Sequence, residues 1–345
     1  MRPSYRWMLR IAGFLVMVGL ADGLAQAFRL KYWMPGVNDR SLNVYVYQKE
    51  DVTPDVLIIG TSQVLRGLDP ELIDRSLTAD LGRPITSYSV CQLGVSCFAN
   101  SVVFSDVVAS NGSPRVVVFG ASPSSLNANN GNIPKALRYY CSLSDLMRAV
   151  PWMATGSQWN GAAHGAFRGF ANLALYARHV VLPDEQRWRL NRLAKGRGRI
   201  AVSSREPLPR LSDLSAKARR EKFYRMRSEV RFRYMSRFCI GGAPEAGLLS
   251  SCRLARDRGI RMIIVNPPVT AEYRRLAYPP RVALEYSRFI EQVITSEHVD
   301  FVDLDRGVVQ LTEDDFMDFS HLHAVGAAKL SSYVAEEVLA PILGQ

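Results

Sequence analysis

Short apolar runs rich in β-branched residues recur along the chain, and several end at a glycine or asparagine, as buried strands do. These runs are Asp55–Ile59, 86–91, Arg115–Phe119, Arg261–Val265 and Val299–Val302. Helical patterns separate them: one opens at Asp69-Pro70-Glu71, and others cover 98–110, 246–258, 281–296 and the segment after Ala324. Apolar strands that alternate with helices indicate a parallel sheet covered on both faces. We therefore predict an α/β fold, a three-layer α/β/α sandwich around a parallel five-stranded sheet.

Residues from about 130 to 245 break this alternation, and we interpret them as a basic helical insertion in the α/β frame. The stretch 187–237 holds 17 Lys/Arg and four Asp/Glu, an excess larger than the net charge of +11 for the whole chain. Three interpretations of this charge stay open: a solvated surface arm, contact with anionic lipid headgroups, or binding of an acidic polymer.

The N-terminus has the pattern of a membrane-targeting segment. Three arginines precede the apolar run 11–28, which Asp22 interrupts. Ala25-Gln26-Ala27 fits a cleaved signal peptide, but the run extends past a signal core and basic and aromatic residues follow it. We favour an uncleaved anchor, and both interpretations place the rest of the chain outside the cytoplasm.

This segment determines the predicted domain organisation. Residues 1–33 are predicted to form a cytoplasmic stub and anchor, residues 34–54 a linker, and residues 55–345 the α/β domain. We expect a bacterial inner-membrane protein with one N-terminal span and a periplasmic domain. Because the chain is expected to be exported, nucleic acid is excluded as the acidic partner that a basic protein would seek.

Composition narrows the chemistry further. A hydrophobic content of 48% with 22% charged residues predicts a packed core rather than disorder. The five cysteines form no Cys-x-x-Cys pair, and no histidine spacing completes a zinc site. We therefore expect no metal and no cofactor.

Three segments predicted to follow strands carry residues suited to acyl chemistry. In a parallel sheet, the carboxyl ends of the strands form one edge, where sites lie. Gly60-Thr61-Ser62 follows the first strand and places a hydroxyl on a tight turn, and Gln92-Leu93-Gly94 offers a backbone N–H that can approach a ligand closely. Asp318 and His321, near the C-terminus, have the spacing of a base and the carboxylate that orients it.

These motifs, in this order, resemble the blocks of the SGNH/GDSL hydrolase superfamily. The matching stretches are GTSQVLRGLDPELID, SYSVCQLGVS and DFSHLHAVGAAKLS. The resemblance covers residues 55–125 and 246–335 and leaves the insertion unmatched. It is strongest to the membrane-anchored branch that includes DltD-like and alginate-acetylation (AlgJ/AlgX-like) proteins.

The resemblance implies a role for each residue. Ser62 would be the nucleophile, His321 the general base and Asp318 the group that orients the imidazole, while the N–H groups of Ser62 and Gly94 would hold the oxyanion. The third block of the superfamily has Gly-x-Asn-Asp, whereas Gly120-Ala121-Ser122-Pro123 stands here. We expect Asn127 to replace the missing asparagine donor.

Two functions of different class remain. The first is a serine esterase or O-acyltransferase that acts on acyl groups, acetyl above all, of a cell-envelope or secreted polysaccharide through an acyl-Ser62 intermediate. The branch implies a multi-spanning membrane O-acyltransferase as its partner. The alternative is a non-catalytic SGNH-like protein that binds substrate or positions such an acyltransferase.

Overall fold

The computed structural model describes residues 42–50, 53–133 and 209–345, together with the helical positions Gly13, Val16 and Leu20. The rest of the predicted anchor, and residues 134–208 of the predicted insertion, lie outside the described residues. Across the described ranges, no helix is both long and apolar enough to cross a membrane.

Five strands form one parallel sheet in the order β2-β1-β3-β4-β5. The strands are β1 Val56–Ile59, β2 Ser87–Ser89, β3 Val116–Gly120, β4 Arg261–Asn266 and β5 Asp300–Asp303. This confirms the predicted α/β fold with its parallel five-stranded sheet. β2 is shorter than the run that predicted it, because it lies at the edge of the sheet and pairs only with β1.

Helices cover the sheet on both faces. In chain order they are α1 Leu42–Glu50, α2 Ser62–Gly67, α3 Pro70–Leu81, α4 Cys97–Asn111, α5 Pro123–Leu126, α6 Ala216–Glu229, α7 Gly242–Asp257, α8 Ala271–Ala277, α9 Pro280–Glu297, α10 Ala324–Tyr333 and α11 Ala340–Leu343. Residues Val230–Tyr234 continue α6 as a π-helical turn, and Val334–Leu339 do the same between α10 and α11.

Successive residues of the central strands face opposite layers. Val56, Ile58, Val116, Val118 and Ile263 pack with residues of α3 and α10, whereas Leu57, Ile59, Val117, Phe119 and Ile264 pack with residues of α1, α4, α7 and α9. Both sides of the central strands β1, β3 and β4 are therefore buried over most of their length. This explains why the strands read as continuous apolar runs rather than as an alternation of apolar and polar residues.

The segment predicted as a linker contains α1, and this helix belongs to the core of the domain. Val44 is fully buried, and Tyr47 is 1% exposed with its ring 4.8 Å from that of Tyr88. At the far end of the helix, the carboxamide of Asn111 donates to the carbonyl of Tyr47 over 2.9 Å. The turn residues Pro35, Gly36 and Asn38 suggested a linker, but Val44 and Tyr47 of α1 pack in one buried cluster with residues of α4.

Replacing Tyr47 with alanine tests whether α1 is part of the folded domain. Removing a buried aromatic ring should lower the free energy of unfolding by about 3 kcal/mol or more. The comparison variant is Tyr224→Ala, because Tyr224 is 59% exposed and should change stability by about 0.5 kcal/mol at most. Denaturant unfolding of both variants gives the answer, and equal small effects would contradict the assignment.

Candidate active site

Ser62 lies at the first position of α2, directly after the carboxyl end of β1. Thr61 caps the helix, its hydroxyl accepting from the backbone N–H of Gln63. Val64 lies over two glycines at the ends of neighbouring strands, and a Cβ on Gly60 or Gly120 would stand 2.6 or 2.3 Å from its side chain. The strand that follows β1 in the chain lies on one side of it, and β3 and the later strands lie on the other side. Ser62 therefore occupies the topological switch point, where such sheets bind ligands.

The loop that carries Asp318 and His321 is closed by backbone contacts across its base and is bound to Thr270, the N-cap residue of α8. Phe316 and Leu322 form an antiparallel bridge, and the backbone N–H of Met317 donates to the carbonyl of His321. Phe319 is 2% exposed, and its carbonyl accepts from both the backbone N–H and the hydroxyl of Thr270. The loop is therefore held in place by groups other than its polar side chains.

The structure brings the three predicted side chains together in one chain of hydrogen bonds. The Oγ of Ser62 lies 2.8 Å from Nε2 of His321, and Nδ1 of His321 lies 3.0 and 2.9 Å from the two oxygens of Asp318. With the proton on Nδ1, the imidazole donates to the carboxylate and accepts from the hydroxyl. His323, two residues further along the chain, is the N-cap residue of α10, whereas His321 meets Ser62.

Asp318 is held as a carboxylate. Burial alone would raise its pKa, but the charge of His321 and the hydrogen bond to it act in the opposite direction. Backbone N–H groups of Ser320 and His321 also donate to Oδ1, over 2.8 and 2.9 Å. Together these interactions keep the pKa of Asp318 below its ordinary value, so the group accepts rather than donates at neutral pH.

Two backbone N–H groups are available where an oxyanion would form. Ser62 is the first helical residue of α2, so its N–H has no partner within the helix. Gly94 has a φ of 63°, a left-handed conformation that favours glycine, and no group within the described ranges accepts from its N–H. Both residues line the same cleft as His321.

The assignment of Asn127 as an oxyanion donor is corrected by the structure. Its side chain is fully buried, and its Nδ2 donates to the carbonyls of Tyr234 and Ser236. Its Oδ1 accepts from the backbone N–H groups of Asn129 and Cys239. The carboxamide is thus used to join the segment after β3 to the chain after α6, and it does not line the cleft.

Asn132, which the sequence analysis did not single out, lies beside Gly94 in the cleft. A Cβ on Gly94 would stand 3.7 Å from Nδ2 of Asn132. The Oδ1 of Asn132 accepts from Nε of Arg233 over 2.8 Å, whereas Nδ2 donates to no group within the described ranges. The signal was present in the run NANNGN at 127–132, where four carboxamides follow β3 and the first of them was predicted to be the donor.

The cleft has a volume of about 340 Å³ and opens at the carboxyl edge of the sheet. One wall comes from the described part of the predicted insertion, namely α6 and the π-helical turn. This wall contributes Lys222, Arg225, Met226, Glu229, Val230 and Tyr234. The described part of the insertion therefore forms one wall of the cleft that holds Ser62 and His321, and it is not only a solvated arm.

Comparisons with known proteins point to similar folds. No protein-family model matches the chain, and no curated protein matches it. A lipase/acylhydrolase from Enterococcus faecalis is similar with a TM-score of 0.40 and 10% identity, over 82% of this chain and 94% of that one. A putative acylhydrolase from Bacteroides fragilis (TM-score 0.37, 11% identity, 87% and 98% covered) and a GDSL-like lipase from Bacteroides thetaiotaomicron (0.36, 12%, 86% and 98%) are also similar. At these identities the similarity concerns the fold alone.

Replacing Asn132 with alanine tests its place in the oxyanion hole. Loss of one such donor should lower kcat by about 100- to 1,000-fold and change KM little, because the donor meets charge only in the transition state. Asn129→Ala is the control, since Asn129 donates to the carbonyl of Arg237 outside the cleft. Steady-state kinetics on a soluble ester would contradict the assignment if both variants kept wild-type kcat.

The lowered pKa of Asp318 predicts how stability depends on pH. Below pH about 5 the unfolded state takes up a proton at this position before the folded state does, so folding stability is lost as pH falls. Asp318→Asn removes this uptake, and its free energy of unfolding should fall less steeply than that of the wild type. Urea titrations between pH 6 and 3 measure the slopes, with exposed Asp257→Asn as control; a wild-type slope in Asp318→Asn would refute the prediction.

Proposed function

We propose that this chain is a membrane-anchored, extracytoplasmic serine esterase or O-acyltransferase that acts on acyl groups of a cell-envelope or secreted polysaccharide. One observation carries the proposal: Ser62, His321 and Asp318 form a continuous hydrogen-bonded chain at the switch point of a parallel sheet. The arrangement matches a nucleophile, a base and an orienting carboxylate in both distance and order. The SGNH-like motifs of the sequence agree with it.

The geometry defines the first half-reaction. Oγ of Ser62 forms a bond to the acyl carbonyl carbon while its proton passes to Nε2 of His321. The carbonyl electron pair moves to oxygen, where the N–H groups of Ser62 and Gly94 and the Nδ2 group of Asn132 stabilise the charge. When this intermediate collapses, the bond to the departing alkoxide breaks and His321 returns the proton to it. An acyl-Ser62 ester remains.

The second half-reaction decides between hydrolysis and transfer. A hydroxyl group, of water or of a sugar, gives its proton to His321 and attacks the acyl carbon, and Ser62 leaves with that proton. The same residues serve both outcomes, so the acceptor in the cleft sets the reaction. We propose that a polysaccharide hydroxyl accepts the acyl group in the transfer reaction. In the hydrolytic reaction, an acetylated polysaccharide hydroxyl is the source of the acetyl group.

The membrane part of the proposal rests on the N-terminal sequence and on where the domain begins. The apolar run 11–28 follows a cluster of arginines, and eight residues between Trp33 and Leu42 can span at most about 30 Å. The carboxamide of Asn43, at the start of α1, bonds to carbonyls at the carboxyl end of β2. An anchored domain would therefore hold the edge that carries the cleft towards the membrane, within reach of a multi-spanning O-acyltransferase.

One observation favours the second candidate, a non-catalytic partner of such an acyltransferase. The segment Gly120-Ala121-Ser122-Pro123 lacks the asparagine that the superfamily carries in its third block. The hydroxyl of Ser122 lies 3.0 Å from that of Ser124 and does not replace a carboxamide. In this case the triad geometry would persist without turnover, and substrate binding would be the function.

Ser62→Ala separates the two candidates. The enzyme hypothesis predicts that purified wild-type protein hydrolyses a chromogenic acetyl ester and reacts with a fluorophosphonate, and that the variant does neither. It also predicts loss of polysaccharide acylation in cells that carry only the variant. Ser250→Ala, with a hydroxyl on the exposed side of α7, is the control. Full acylation in Ser62→Ala cells, together with co-purification of a multi-spanning protein, would instead establish the binding role.

A further inference from the structure

The start of α1 is tied to the edge strand of the sheet by one buried carboxamide. Asn43 is fully buried, and its Nδ2 donates to the carbonyl of Cys91 over 2.8 Å and to that of Ser89 over 3.3 Å. β2 pairs with β1 on one side only, so its outer side has no neighbouring strand to satisfy these carbonyls. The side chain of Asn43 supplies the hydrogen-bond donor that a neighbouring strand would otherwise supply.

The other end of the same carboxamide holds the segment that leads to Gly94. Oδ1 of Asn43 accepts from Nε2 of Gln92 over 2.9 Å, and that nitrogen also lies 2.9 Å from the carbonyl of Val90. The backbone N–H of Gln92 donates to the carbonyl of Gly60 over 2.8 Å. Gln92 is thereby fixed between α1 and the turn that carries Ser62, two residues before Gly94.

This network matters because little else among the described residues holds the backbone of Gly94. Its N–H must stay free for a ligand, and its left-handed φ gives it no place in a strand or helix. The direction of that N–H is therefore set by the residues just before it, and among these Gln92 is fully buried and bonded on two sides. A donor misplaced by about 1 Å can cost as much as about 100-fold in rate.

We propose that Asn43 is a positioning residue of the active site, which acts through Gln92 to aim the backbone N–H of Gly94 at the developing oxyanion. This inference rests on the proposed serine chemistry and extends it to a helix that precedes the α/β frame. Asn43 itself touches no substrate. Its effect belongs to the transition state, so it alters kcat and the reaction with tetrahedral mimics more than KM.

The test compares Asn43→Ala with Asn111→Ala in the full-length chain. Both variants remove one buried hydrogen-bonding side chain that holds α1, but Asn111 acts at the end of the helix far from Gly94. We expect Asn43→Ala to lower kcat by about 10- to 100-fold with KM nearly unchanged. The rate of Ser62 labelling by a fluorophosphonate, whose phosphoryl oxygen occupies the oxyanion hole, should fall in parallel. Asn111→Ala should lower the melting temperature and keep both rates.

If Asn43→Ala does not fold, a second variant tests the same contact from the side of Gln92. Gln92→Met keeps the length of the side chain and removes its bond to Asn43, so it should lower kcat in the same way. In the double variant, the loss should be smaller than the product of the two single losses, because both act on one contact. Independent, multiplicative losses would overturn the inference.

Measuring the wild type and Ser62→Ala beside these variants distinguishes failure of the proposed function from failure of the proposed role of Asn43. If the wild type neither turns over ester nor reacts with fluorophosphonate, the proposed function fails. If the wild type is active and Asn43→Ala behaves like Asn111→Ala at matched stability, only the role of Asn43 is refuted. Circular dichroism of each variant ensures that folded protein is compared.

Discussion

The close approach of α2 to the ends of β1 and β3 is the constraint on which the site depends. A Cβ on Gly120 would lie 2.3 Å from Cγ2 of Val64, so the helix could not rest there if that residue had a side chain. With both glycines in place, α2 begins at Ser62, whose N–H has no partner within the helix and whose hydroxyl lies 2.8 Å from Nε2 of His321. The nucleophile and one oxyanion donor thus follow from one packing contact.

The base and its carboxylate reach this point by a different route. His321 lies 259 residues further along the chain than Ser62, and it shares with Asp318 a loop held by Thr270 and by the bridge between Phe316 and Leu322. The positive charge that develops on His321 meets a carboxylate whose pKa is lowered, partly by backbone donors of its own turn. The loop therefore supplies both the geometry of the base and the charge that stabilises its protonated form.

The frame and the triad could be predicted from the sequence because both leave local signals. Buried parallel strands are continuous apolar runs, and Asp318 and His321 lie within one short motif. The residues that the sequence did not reveal depend on tertiary contacts. Asn127 and Asn132 cannot be distinguished in the sequence. Their hydrogen bonds show that the carboxamide of Asn127 is bound to backbone groups of the fold, whereas Asn132 lines the cleft. Helix α1 was missed because turn residues precede it, and only its packing in the folded domain shows that Val44 and Tyr47 are buried.

The two halves of the site therefore differ in origin. Nucleophile and base come from the α/β frame, whereas the surroundings of the oxyanion are completed by elements outside it. Arg233, on the described part of the insertion, turns the carboxamide of Asn132 so that its nitrogen faces the cleft, and Asn43 holds the segment before Gly94. In the proposed reaction, these elements supply the donor that a third-block asparagine would otherwise provide. The difference from the motif lies in which element supplies a hydrogen bond, and the order of the proposed acyl-transfer steps is unchanged.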